Sequence, residues 1–242
     1  MKPLATWAAL LPAVLPLAAR AQHLEAAGFS TSLAVTQTLA RPYLIAMAPY
    51  YLDTQADRGR YDEVGYRIAA FGRWRLGHAG FFAQPEVAYT STVGQAYGIT
   101  YTTAALYGSF TAYHGHHIRR WELAPLFGYH SSRRGYLLAG PLLALNLRDA
   151  VIDEATGRPS SAGVVNSLNR SVEPVQLLAQ VGVGYKLGRF DFSLRLEHSL
   201  TPYTRQFSFE GATYGYRQHI RQGLFTAGFC LYRRKQPVAA TN

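Results

Sequence analysis

The sequence predicts an all-β protein: one antiparallel transmembrane up-and-down β-barrel of eight strands, preceded by a cleaved signal peptide. Three observations predict it. The first is the alternation in FDFSLRLEHSL. Phe190, Phe192, Leu194, Leu196 and Leu200 share one parity, interrupted only by His198, while Asp191, Ser193, Arg195, Glu197 and Ser199 share the other. A period of two is that of a strand with two unlike faces. The second is an export leader at the start of the chain. The third is an alternation of short and long connections between the strand-like segments. Together they point to apolar side chains facing lipid and polar ones facing a barrel interior.

The leader occupies residues 1–21. Lys2 supplies the positive start, residues 4–19 are apolar and broken by Pro12 and Pro16, and Ala19-Arg20-Ala21 fits small-x-small cleavage before Gln22. A membrane-spanning helix is excluded there by length and proline content. The barrel domain is then 22–242. The 242 residues include one cysteine, Cys230, so no intrachain disulfide can form. Net charge is +10, and becomes +8 once Lys2 and Arg20 leave with the leader. A basic exported protein points to acidic partners: outer-membrane lipids, anionic glycans or envelope proteins, and not nucleic acid. The 17 Tyr, 12 Phe and 22 Gly suit an all-β chain with many turns.

Eight strands are expected in order. Residues 28–37 place Phe29, Leu33 and Val35 on one parity. Residues 61–76 set Val64, Tyr66, Ile68, Ala70, Trp74 and Leu76 against Glu63, Arg67, Arg73 and Arg75. Residues 81–92 set Phe81, Ala83, Pro85, Val87 and Tyr89 against Gln84, Glu86 and Thr90. Residues 117–130 set Trp121, Leu123, Pro125, Phe127 and Tyr129 against Arg120, Glu122 and His130. Residues 136–148 carry Leu137, Leu143, Leu145 and Leu147 on the apolar side. Residues 172–187 set Val175, Leu177, Val181, Val183 and Tyr185 against Gln176, Gln180 and Lys186. Residues 190–200 are the alternating stretch above. Residues 219–232 turn Phe225, Ala227, Phe229 and Leu231 outward.

Tight connections fall at Gly77-His78-Ala79-Gly80, at 131–135 and at Leu187-Gly188-Arg189, whereas 38–60, 93–116, 149–171 and 201–218 are long. Short turns at one end and long loops at the other are typical of outer-membrane barrels, with both termini on the periplasmic side. The segment TYTTAALYGSF within 93–116 leaves ten strands as the alternative. Pro85, Pro125 and Pro141 remove ladder donors, so each is expected to mark a bulge or a break in pairing.

Outward aromatics recur eight residues apart, as Tyr66 and Trp74, Phe81 and Tyr89, and Trp121 and Tyr129. On a strand tilted near 40°, eight residues span roughly 20 Å of membrane normal, close to the apolar band between aromatic girdles. Trp74, Phe81, Tyr129, Tyr185 and Phe190 are expected at the turn-side interface. On the inward parity Arg67, Glu86, Arg120, Glu122, Arg195 and Glu197 are expected to form a buried ion-pair network filling a lumen only wide enough for its own side chains. The basic residues near the turns, Arg73, Arg75, His78, Arg133, Arg134, Lys186, Arg189, Arg233, Arg234 and Lys235, are expected to form a solvated rim beside lipid headgroups.

The stretch GYRIAAFGRWRLGHAGFFAQPEVAY, Gly65 to Tyr89, resembles the second hairpin of the PorT-like outer-membrane β-barrel proteins of Bacteroidetes, with Gln84-Pro85-Glu86 as the matching piece. Leu123-Ala124-Pro125 with Gly140-Pro141 resembles the next hairpin, and Val181-Gly182-Val183-Gly184-Tyr185 the third. The resemblance implies a Gram-negative host of that phylum, an outer-membrane location, and a link to protein secretion without a settled activity.

Residues that could carry chemistry are few. His114, His116 and His117 are spaced as weak metal-ligand candidates, but a defined site needs more ligands and supporting contacts, so no cofactor is expected. Glu197-His198-Ser199 places His and Ser on opposite faces of a strand, and His130 with Ser132 lacks a third orienting group. The expected function is a non-enzymatic outer-membrane barrel acting through its long external loops or within an envelope or secretion complex. A lipid-modifying barrel enzyme and a small passive channel are the alternatives.

Overall fold

The computed structural model describes residues 21–54, 64–77, 80–102, 109–149 and 161–234. Eleven strands and one helix occur among them: β1 (Ala21–Arg41), β2 (Leu44–Met47), β3 (Tyr50–Asp53), β4 (Val64–Leu76), β5 (Phe81–Thr102), β6 (Ser109–Tyr129), β7 (Gly135–Leu147), α1 (Ala162–Arg170), β8 (Val175–Leu187), β9 (Phe190–Ser199), β10 (Thr204–Phe209) and β11 (Ala212–Arg233). The leader expected at 1–21 lies outside the described residues except for Ala21, where β1 begins.

Antiparallel pairings run β1–β4–β5–β6–β7–β8–β9–β11 and return to β1, so eight strands close a ring. The register fixes the stagger. Followed one way from Ile68, the row of partners passes Tyr89, Trp121 and Leu145 and meets β8 at Val175. Followed the other way it passes Thr31, Ala227 and Phe192 and meets β8 at Tyr185, ten residues along. That stagger tilts the strands by about 40°, and eight strands at that tilt leave an interior that side chains can fill.

The faces follow the alternation. Leu33, Ile68 and Leu194 on the outside are 55%, 54% and 58% exposed, whereas Arg67 on the inside is 0% exposed. This is the inside-out arrangement of a transmembrane barrel: an apolar belt outside, a polar and charged filling within.

The described parts of the long segments form regular structure. β5 and β6 continue as a single ladder to Thr102 opposite Ser109, with one register shift between Gly94 and Tyr97. The described ends of the segment that left ten strands open, 100–102 and 109–110, therefore lengthen two existing strands, and residues 103–108 lie outside the described residues. Ile99, Thr100 and Tyr101 favour extended backbone, which is the local reason. β2 and β3 form a hairpin on the far part of β5, and β10 folds back on β11. β1 and β11 are also longer than 28–37 and 219–232. In β1 the register shifts at Ala27/Gly28 and at Leu24/Ala26, and such bulges break the period-two pattern of residues 21–27.

The three strand prolines interrupt pairing without a bulge. Pro85 and Pro125 face each other across β5 and β6, and Pro141 faces Ala179. The β4–β5 ladder lapses between Phe71/Glu86 and Trp74/Ala83, and the β6–β7 ladder between Leu123/Leu143 and Phe127/Ala139, each resuming in the same register.

At Gly184 on β8 a Cβ would lie 2.0 Å from the Tyr136 ring. Tyr136 is buried in the lumen and donates its hydroxyl to Asp191. Gly184→Ala is therefore expected to displace that ring and to cost about 1–3 kcal/mol of unfolding free energy, read from urea titration in lipid vesicles. A stability equal to the parent's would contradict the tight seating of Tyr136.

Candidate functional site

The candidate site is the lumen. The six charged residues of the inward parity come from β4 (Arg67), β5 (Glu86), β6 (Arg120, Glu122) and β9 (Arg195, Glu197), and all are buried. They form one chain of alternating sign. Arg195 Nη1 donates to Glu86 Oε2 at 2.7 Å, which also accepts from Arg67 Nη2 at 3.2 Å. Arg67 Nε donates to Glu122 Oε2 at 2.7 Å, and Arg120 Nε to Glu122 Oε1 at 2.6 Å. Arg120 Nη2 then reaches Glu197 Oε2 at 2.7 Å on the opposite wall. Three bases meet three acids, so the chain carries no net charge. Desolvated charges are tolerated only when matched and hydrogen-bonded in this way.

Neutral side chains complete the network. Thr90 donates to Glu122, Gln180 to Glu197 and Gln84 to Glu86, at 2.7, 2.8 and 2.6 Å. Gln222 accepts from Arg120 and donates to Thr36, both at 2.9 Å. Beside the charges, Phe82, Leu126, Tyr136, Leu138, Leu142 and Leu178 form an apolar cluster inside the barrel.

Toward the turn end lies a second polar group. Arg73 Nε donates to Gln84 Oε1 at 2.6 Å, and its Nη2 lies 3.0 Å from Asp191. Its guanidinium also sits 4.8 Å and 4.5 Å from the ring centroids of Phe82 and Tyr136. Lys186 donates to Glu25, and His130 Nε2 lies 3.1 Å from the same carboxylate. This corrects the rim expectation for two residues: Arg73 and Lys186 face the lumen, because both lie on the inward parity of their strands. Arg75 is half-buried, and Arg133, Arg134, Arg189, Arg233 and Arg234 are exposed. His78, Lys235 and Glu63 lie outside the described residues.

Above the charges the loop-side extensions enclose a third layer. Ile45, Met47 and Leu52 of the β2–β3 hairpin pack with Tyr97 and Ile99 of β5 and with Phe207 and Tyr216 of the β10–β11 hairpin. The helix α1 adds Val164, Val165 and Leu168, an i, i+1, i+4 face, to the same core. The end of the barrel opposite the turns is thus a cap with its own apolar core. The β2, β3, α1 and β10 elements of this cap are only four to nine residues long, too short to leave a periodic pattern in the sequence.

The aromatic positions stand at two levels on the outer wall. Phe81 and Tyr129 meet at 5.1 Å between ring centroids near the turns, and Tyr89 and Trp121 meet at 5.3 Å eight residues higher. Tyr66, Tyr185 and Phe190 are exposed on the same wall, and Trp74 is half-buried.

The structure does not gather the other candidates. His114, in the loop-side extension of β6, bonds Ser161 Oγ at 2.9 Å and stacks on Tyr97, and its burial lowers its pKa below the usual imidazole range. His117 is exposed on the opposite parity, and the side chain of His116 lies outside the described residues. Among the described residues no three His, Cys, Asp or Glu side chains stand close enough to hold a metal ion. Glu197 and Ser199 point inward, and His198 points outward beside Arg221. His130 reaches Glu25, whereas Ser132 Oγ accepts from Gly135 N in the turn at 2.7 Å.

No family model matches the chain. No curated protein matches it either. Among solved structures it is similar to the outer membrane protein AlkL, determined by solid-state NMR in lipid bilayers, at 10% identity and a TM-score of 0.39, covering 89% of this chain and 95% of that one. It is also similar to the outer membrane protein OprG from Pseudomonas aeruginosa, at 11% identity and a TM-score of 0.37, covering 86% and 98%. The barrel assignment rests on the closed ring of strand pairings and not on these likenesses.

Proposed function

We propose that the chain is a non-enzymatic outer-membrane β-barrel that conducts nothing and works through its folded cap, alone or within an envelope or secretion complex. The observation that carries this reading is the alternating chain Arg195–Glu86–Arg67–Glu122–Arg120–Glu197, which spans the lumen from β9 to β5 and from β6 back to β9. A pore for solutes needs a passage through that network and through the apolar core of the cap. The outward belt between two aromatic levels supports a membrane location. The cap turns Tyr43, Leu44, Tyr51 and Tyr113 outward, a surface suited to a partner. The likeness of Gly65 to Tyr89 to the PorT-like proteins favours an envelope complex in a bacterium of the phylum Bacteroidetes. His198 lies on the opposite face from Ser199, whose Oγ accepts from Ile220 N at 2.8 Å and lies 3.4 Å from His219 Nδ1.

Planar-bilayer recording of the purified protein tests the reading. No stable conductance is expected. Large, steady and reproducible single-channel currents would refute the plug and establish the passive-channel alternative.

A further inference from the structure

The outer wall is not evenly filled. On β11, Gly223 lies between Val35 of β1 and Leu196 of β9 in register, with Val181 of β8 next in the row. A Cβ at Gly223 would meet nothing within 4 Å. Over this glycine lies an open apolar hollow of about 680 Å³ whose wall includes Val35, Phe225, Leu194 and Val181. A second hollow of about 510 Å³ shares Gly223 and continues to Gln37, His198 and Arg221. Those three form the next outward row toward the loop end. Arg221 Nε lies 3.4 Å from His198 Nδ1, and both residues are exposed. Four residues higher, Arg217 faces Arg41 across β11 and β1. The outward positions of this arc above Phe225 carry no carboxylate.

The level of the basic row matters. Phe225 shares a row with Leu33 and, beyond it, Tyr66 of the upper aromatic level, but at this tilt the row descends roughly 3 Å of membrane normal per strand, so Phe225 stands about 6 Å below Tyr66. Arg221 stands four residues toward the loops from Phe225, roughly 10 Å of membrane normal at this tilt. It is therefore at headgroup height, directly above an apolar hollow.

We propose that this groove and its basic rim hold one phosphate-bearing lipid of net negative charge in the external leaflet, with an acyl chain over Gly223 and the phosphate on Arg221. The inference rests on the transmembrane reading above. A guanidinium offers paired donors that match phosphate oxygens, and Gln37 and His198 add donors beside it. Inorganic phosphate satisfies the rim alone and a neutral lipid the hollow alone. A phosphorylated lipid of net negative charge satisfies both with one molecule, with no choline cation against the basic rim.

The test is native mass spectrometry of the full chain folded in detergent micelles. The probes are dipalmitoyl phosphatidic acid, dipalmitoyl phosphatidylcholine, dipalmitoylglycerol and inorganic phosphate. Retention of one phosphatidic acid in preference to the other three is expected. Arg221→Gln should weaken it about fivefold, the worth of one basic residue at an anionic lipid surface. Gly223→Leu, which has open space for its side chain, should weaken it by filling the groove while leaving heat-modifiable migration intact. Arg133→Gln, at an exposed turn, should change nothing. Parent-like retention in both groove variants, equal retention of phosphatidylcholine, or an equal loss in Arg133→Gln would overturn the proposal. A chain that stays soluble without detergent overturns the transmembrane reading and this site with it. A heat-modifiable barrel with no lipid preference overturns this site alone.

Discussion

Replacing Arg120 by Met is expected to cost roughly 3–5 kcal/mol of unfolding free energy, because it strips a buried carboxylate of its partner. Arg120 stands between Glu122 and Glu197 in the lumen chain. Without it Glu122 still has Arg67, but Glu197 keeps only the Gln180 amide. The double variant Arg120→Met/Glu197→Leu removes the end of the chain as a matched pair and leaves Arg195, Glu86, Arg67 and Glu122 alternating. Its cost should be well below the sum of the two single variants. Urea unfolding in lipid vesicles reads all three. Additive costs, or a single variant as stable as the parent, would show that the network is not coupled as its geometry indicates.

Replacing Leu194 by Arg is expected to cost about 2–4 kcal/mol, the penalty for a base on the lipid face near the midplane of a barrel. Leu194 is exposed on the outer wall, four residues from the Phe190 girdle position. Leu200, six residues further toward the loops, lies on the same face, and Leu200→Arg should cost only about 0–1 kcal/mol because the penalty falls toward the interface. Equal costs at the two positions would contradict the depth assigned to them. Equal stability of Leu194→Arg and the parent would contradict the face itself.

The architecture was legible where one face is apolar and the other is not. Residues 190–200 alternate cleanly, so their inward set, including Arg195 and Glu197, could be named from parity alone. The same holds for Arg67, Glu86, Arg120 and Glu122. Their partners could not be named, because Arg120 meets Glu197 only once the ring has closed across the lumen. In β7 both parities are apolar, which hid the inward turn of Tyr136, Leu138 and Leu142. Nearness to turns points Arg73 and Lys186 toward a solvated rim, whereas the parity of their strands places them inside. The apolar core of the cap left no periodic trace, since it is assembled from Met47, Leu52, Val164 and Phe207 on four separate short elements. The bulges of β1 had a similar effect, since each shift of register exchanges the faces.

The most direct test of the inside-out barrel is a spin-label scan of residues 190–200 in lipid bilayers. Single cysteines are placed in a Cys230→Ser background, and the collision rate of each label with molecular oxygen is read. Oxygen concentrates in the hydrocarbon, so the account predicts the highest rates at Phe192, Leu194 and Leu196, intermediate rates at the interfacial positions Phe190 and Leu200, and low rates at Asp191, Ser193, Arg195, Glu197 and Ser199. A flat profile, or one with the opposite phase, would contradict it.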